Sequence, residues 1–164
     1  MKKLFCLISL VVSISTYCQS TEAGKRQNDV FQSLQPSFFA IVVKDIEQSI
    51  EWYNNNLGFE LANKTESKER GFVIANMTSS ITQLELIELK GSMSLSEASK
   101  LSGASKLEGL FKIGFKTSFF DDYVQLLKKN NVNFHGDVVN DPNSGLRMVI
   151  IKDPDGTRIQ LFEK

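Results

Sequence analysis

The period of the apolar positions changes along the chain, and the changes mark out its elements. Ser37–Val43 is rich in Phe, Ile and Val and reads as a strand. Ile46, Ile50, Tyr53 and Leu57 then recur at spacings of four, three and four, which predicts one apolar helical stripe. Asp45 can cap that helix with Gln48 three residues on, and Gly58 can end it. Strands are predicted at Phe59–Thr65, Gly71–Met77 and Ile81–Leu89. Ser92–Gly103 is Ser-rich and reads as a loop with a short helix carrying Leu95, Ala98 and Leu101. The order then returns. Leu110–Lys116 reads as a strand, and Ser118 as the cap of a second helix. Asp121 and Asp122 in its first turn and Lys128 and Lys129 in its last suit the helix dipole. Its stripe has two edges, one of Phe119, Tyr123 and Leu126 and one of Phe120, Val124 and Leu127. Strands follow at Asn133–Val139, Leu146–Lys152 and Thr157–Phe162. Asp153-Pro154-Asp155-Gly156 joins the last two as a tight turn, with Gly156 supplying the positive φ.

Strand, helix and three strands thus occur twice. Laying one half on the other puts Phe38 on Lys112 and Glu85 on Gln160. The repeat predicts an α+β fold of two βαβββ modules, about 37–91 and 108–164, forming one pseudo-symmetric curved sheet.

The N-terminal pattern is different. Met1-Lys2-Lys3 precedes an apolar run from Leu4 to Ile14. As a helix this run spans roughly 16 Å, too short for a hydrocarbon core of about 30 Å. It reads as a secretory signal over residues 1–18, with Thr16 and Cys18 as the small residues before a cut at Gln19. Acylation at Cys18 is the alternative, but the bulky Tyr17 suits it poorly. Residues 19–36 are polar and read as a linker or arm, in which Val30, Phe31 and Leu34 can form one helical turn. The expected location is therefore periplasmic or secreted, and the cleaved chain has no predicted transmembrane span.

Composition sharpens this. The 164 residues carry 19 basic and 19 acidic side chains, without the basic footprint of a nucleic-acid binder. Charged residues at 23% and aromatics at 10% exclude a largely disordered chain. Both cysteines, Cys6 and Cys18, fall inside the signal, so the cleaved chain has no disulfide. One histidine is too few for a zinc site built mainly on imidazole.

Strand alternation gathers the candidate chemistry on one face. Gln83 and Glu85 share a face of their strand, as do Lys112 and Lys116, and Arg158, Gln160 and Phe162. Phe111, Ile113 and Phe115 are expected to pack against the helix instead. With Phe38, the inward residues make a polar, mixed-charge cleft with aromatic walls. The bland reading of this cleft is a Glu85–Lys112 ion pair with Gln160 bonded to it. Sharper readings make Lys112 and Arg158 an anion site, or Glu85 a general acid–base group set by Lys112. Other residues carry less: His135 reads as a surface or edge-strand residue, Tyr53 as core, and Asp153 and Asp155 as turn formers.

The run from Val42 through Asp45-Ile46 to Trp52-Tyr53, then Leu57-Gly58-Phe59, resembles the opening of vicinal oxygen chelate proteins. The ending Asp153-Pro154-Asp155-Gly156-Thr157-Arg158-Ile159-Gln160-Leu161-Phe162-Glu163 resembles the closing hairpin of the same family. The resemblance covers about Ser37 to Glu163 and implies the glyoxalase-like fold. In metal-using members it implies four ligands, usually His or Gln, Glu, His and Glu. The matching positions here are Phe38, Glu85, Lys112 and Gln160. Phe offers no lone pair and a lysine ammonium only donates, so no metal and no cofactor are expected. The resemblance to metal-free members such as the bleomycin-resistance proteins implies a homodimer that binds or sequesters a small molecule, and the signal segment adds export. The alternatives are a glyoxalase-like lyase or isomerase holding a metal through Glu85 and Gln160, and an inert pseudo-enzyme or interaction module. Mass spectrometry of the exported protein is expected to give an N-terminus at Gln19; any other N-terminus rejects this cleavage site.

Overall fold

A computed structural model describes residues 24–26, 33, 36–102 and 109–164. The signal segment, most of the arm and the predicted turn at Val30, Phe31 and Leu34 lie outside these residues. The chain divides into two units, Met1–Ser37 and Phe38–Lys164. In the first, residues 24–26 are helical. No described helix is long and apolar enough to cross a membrane.

The second unit runs β1 (Phe38–Val43), α1 (Ile46–Leu57), β2 (Glu60–Ser67), β3 (Phe72–Thr78), β4 (Gln83–Leu89), α2 (Leu95–Ser102), β5 (Ile113–Thr117), α3 (Phe120–Lys129), β6 (Asn133–Phe134), β7 (Val139–Asn140), β8 (Arg147–Lys152) and β9 (Arg158–Glu163). The predicted βαβββ order is present twice, with the strand predicted over Asn133–Val139 broken into β6 and β7. Hydrogen bonding divides the strands into two ladders, β1-β4-β3-β2 and β5-β9-β8-β6, with β7 on β8. In each module the first strand lies parallel to the last, β1 beside β4 and β5 beside β9. That pairing requires a crossover, which α1 and α3 begin.

Local chemistry explains the ends of α1. Asp45 is extended and its Oδ1 accepts from the Gln48 amide at 3.0 Å. Glu88 of β4 accepts a second first-turn amide, that of Ile46, at 2.9 Å. Gly58 ends the helix at φ 68°, a conformation that costs glycine little. The cap of α3 departs from expectation. Phe119, not Ser118, is its N-cap, and no side chain caps it. The Phe119 amide is instead taken by Thr117 Oγ1 at 3.1 Å. Arg147 of β8 then ties the start of α3 to the sheet, bonding both Asp121 and Glu163 with its guanidinium over the Phe120 ring.

The core lies between helices and sheet. Ile41, Val43, Leu84 and Leu86 supply it in the first module, and Val149, Ile151, Ile159 and Leu161 in the second. Ile46 and Tyr53 close it from α1, and Phe120, Val124 and Leu127 from α3.

The modules are joined by side chains. Phe39 of β1 and Phe115 of β5 lie 6.1 Å apart by ring centroids, and Phe59 packs edge-on against both. The Tyr53 hydroxyl donates to Asp153 Oδ2 at 2.8 Å, entirely buried. Asp153 Oδ1 accepts from the Asp155 and Thr157 amides, so one carboxyl holds both the turn and the joint. Burial pushes this carboxyl above the usual aspartate range, and the bonds from Tyr53 and Thr157 pull it partly back. Burial, then the Asp153 charge, keeps the Tyr53 hydroxyl protonated far above its ordinary range. Tyr53→Phe keeps the ring packing and leaves a buried carboxyl oxygen without its donor, a cost of about 1–3 kcal/mol. Urea unfolding followed by Trp52 fluorescence is expected to show that loss; an unchanged midpoint contradicts the role.

Candidate functional site

Register assigns each predicted residue to a face. In the first module Leu84 and Leu86 point into the core, so Gln83 and Glu85 occupy the opposite, open face of β4. Phe38 is the β1 partner of Gln83 and remains 59% exposed. Glu85 is half-buried between Ala40 of β1 and Asn76 of β3. In the second module Ile159 and Leu161 are core, which leaves Arg158, Gln160 and Phe162 on the open face. Lys116 is the β5 partner of Phe162, and Gly114 that of Gln160. The structure therefore groups Phe38, Gln83 and Glu85 on one open face, and Lys116, Arg158, Gln160 and Phe162 on the other.

Lys112 departs from the expected pattern. The strand begins at Ile113, so alternation does not carry back through residues 110–112. Phe111, expected under the helix, is 65% exposed, and its ring lies 4.5 Å from the Arg158 guanidinium carbon. The expected Glu85–Lys112 ion pair is absent. The ion pairs among the described residues join Lys64 to Glu47 and Arg147 to Asp121 and Glu163. Nor does Gln160 bond to Glu85. Its amide is buried and donates to Met148 Sδ at 3.1 Å. The physical reason is the register: Gln160 faces Ile150 across β8, one step from Met148, and a thioether is the acceptor within reach.

The metal that the resemblance implies does not fit these residues. Phe38 has no lone pair, Lys112 carries three donors, and the Gln160 amide is turned to a thioether. Among the described residues no three His, Cys, Asp or Glu side chains cluster. His135 is exposed, with its backbone amide bonded to the Ile150 carbonyl.

Two cavities lie elsewhere. One of about 320 Å³ sits between the modules, lined by Phe59, Ile81, Phe115, Lys116 and Tyr123 among others. The other, about 470 Å³, lies against Trp52, Asn55, Asn130 and Pro154. Lys116 is the sole predicted cleft residue that lines either one. Sequence reasoning passed over Lys152, Ile150 and Met148, which share the open face with Arg158, Gln160 and Phe162. The signal was available: counting back from the Asp153–Gly156 turn sets Lys152 opposite Arg158.

Residues 35–161 match the glyoxalase/bleomycin resistance protein/dioxygenase superfamily. The uncharacterized protein YwkD of Bacillus subtilis (strain 168) is 27% identical over 125 residues, covering 76% of this chain and 93% of its own. Among solved structures, a glyoxalase family protein from Enterococcus faecalis superposes with a TM-score of 0.70 at 18% identity, over 80% of this chain and 98% of its own. The trypanothione-dependent glyoxalase I of Leishmania major superposes with a TM-score of 0.60 at 24% identity, over 80% of this chain and 87% of its own. These structural likenesses establish the fold.

Lys112 forms no close ion pair among the described residues and feels the charge of Asp141 from a distance, so Lys112→Met is expected to shift stability by no more than about 0.5 kcal/mol. A larger loss in thermal or urea unfolding restores the ion-pair reading.

Proposed function

We propose that this chain, which belongs to the glyoxalase/bleomycin resistance protein/dioxygenase superfamily, is an exported, metal-free binder of a small molecule on the open face of its sheet. One observation carries this reading. At the positions where the resemblance implies a metal cage stand an exposed phenyl ring, an exposed lysine, a half-buried glutamate and a buried amide donating to sulfur. The surrounding face retains the means to hold an organic molecule: apolar surface from Phe162, Ile150 and Met148, and polar heads from Arg158 and Lys116. Fold alone leaves the chemistry open, so the reading rests on these residues.

The same reading includes a homodimer. Phe38, Val42 and Leu89 are 59%, 47% and 40% exposed on the open side of the first module. A second copy laid over this face removes that apolar surface from water and gives a shallow face the depth of a cleft.

The test is a thermal-shift screen of the purified full chain against small metabolites and aromatic antibiotics, with metal content and sedimentation measured on the same sample. A saturable rise in Tm, no stoichiometric metal and a dimer are the expected results. Stoichiometric Ni, Zn, Fe or Mn overturns the metal-free reading in favour of a glyoxalase-like lyase or isomerase. No response to any compound favours an inert interaction module.

A further inference from the structure

We infer that the open face of the second module is built for an oxyanion, so that the small molecule carries a carboxylate or a phosphate held by Arg158 and Lys152. This rests on the binding reading above and names the ligand's chemistry.

The two cations are direct partners across β8 and β9. The Asp153 amide bonds the Thr157 carbonyl at 3.1 Å, which makes the next pair, Lys152 and Arg158, one of the non-hydrogen-bonded kind. In such pairs the Cα atoms approach to about 4.5 Å and the side chains are closest. Like charges directly opposite destabilise a sheet. Both side chains are half-buried, so water screens them incompletely.

No carboxylate among the described residues forms an ion pair with Lys152, Arg158 or Lys116. The turn between the two strands holds two carboxylates, and both are committed elsewhere. Asp153 takes the Tyr53 hydroxyl, and Asp155 Oδ2 takes the Lys44 amide at 3.1 Å. On the far side of Lys152 stands Asn133, which is neutral.

The arrangement also orients a donor. The Phe111 ring lies 4.5 Å from the Arg158 guanidinium carbon and restrains that cation without using its N–H groups. A guanidinium held in this way presents a fork that matches two oxygens of a carboxylate or phosphate. One step along the face, Gln160 is buried with its amide bonded only to a thioether. Phe162 and Ile150 provide apolar surface for the rest of the molecule. The face therefore fits an organic anion with an apolar body.

The experiment titrates the purified full chain with phenyl phosphate, benzoate and inorganic phosphate, and with neutral benzamide as the isostere. Calorimetry and Tm shift are the readouts. At least one of the two aromatic anions is expected to bind saturably, and benzamide to bind about tenfold more weakly or worse. Phenyl phosphate against benzoate separates a phosphate ligand from a carboxylate one. Arg158→Gln and Lys152→Gln are each expected to weaken anion binding about tenfold or more. Lys152→Gln without ligand is expected to unfold no earlier than the parent, since it relieves a repulsion. Lys128→Gln, on the exposed end of α3, is expected to keep full binding and controls for general charge effects. The inference falls if benzamide binds as well as the anions, or if the two variants keep anion binding. If the earlier screen yields neutral ligands that protect the parent and both variants equally, the binding reading stands and the oxyanion site is rejected. If neither the screen nor these probes bind, both readings fail.

Discussion

A buried hydrogen bond between Tyr53 and Asp153 is the point on which the two modules depend. Tyr53 lies in the apolar stripe of α1, and Asp153 opens the turn between β8 and β9. One carboxyl oxygen takes the phenol and the other takes two backbone amides of the turn. Burying a carboxyl is costly unless its oxygens are satisfied, and here they are. Phe59 packs edge-on against Tyr53 and joins it to the aromatic contacts of Phe39 and Phe115. The Lys44 amide on Asp155 adds a second link from the first module to the same turn. A turn residue that reads as local chemistry thus also holds distant parts of the chain together.

The joint has a consequence for function. Each module spends its helix-side face on the core, and each leaves the other face of its sheet open. Apart from the buried Gln160, the candidate residues on those faces are more accessible than Leu84, Leu86, Ile159 and Leu161 on the core side. The metal positions implied by the family lie on this face or at its edge, and three of the four have lost ligand chemistry or turned away. What remains in the second module is cationic and aromatic. Arg158, Lys152 and Lys116 lie among Phe111, Phe162 and Ile150, and Arg147 alone among the basic side chains of that sheet is tied into ion pairs.

Much of this was legible from pattern. The apolar stripe of α1, its Asp45 cap and Gly58 stop, the alternation in β4 and the turn at Asp153–Gly156 all follow from short-range rules, and all are present. The doubled βαβββ order followed in turn. The errors cluster where alternation was carried past the end of a strand. β5 starts at Ile113, so Phe111 lies by Arg158 rather than under the helix, and Lys112 is outside the strand register. Ser118 is not the cap because α3 begins one residue later, at Phe120, which puts the apolar Phe119 in the cap position.

The sequence by itself determined which faces are buried, because the period of the apolar residues is a local property that survives any arrangement of the elements. It also determined which four residues stand at the family's metal positions. Tertiary structure alone decided the partners. Glu85 and Lys112 are suited to pair but are never brought together, while Lys152 and Arg158, alike in charge, are set side by side by the β8–β9 register. Partnership depends on strand ends, register and the joint between modules, and each of these is settled by contacts across long stretches of chain. Tyr53 and Asp153, one hundred positions apart, show the same dependence in its simplest form.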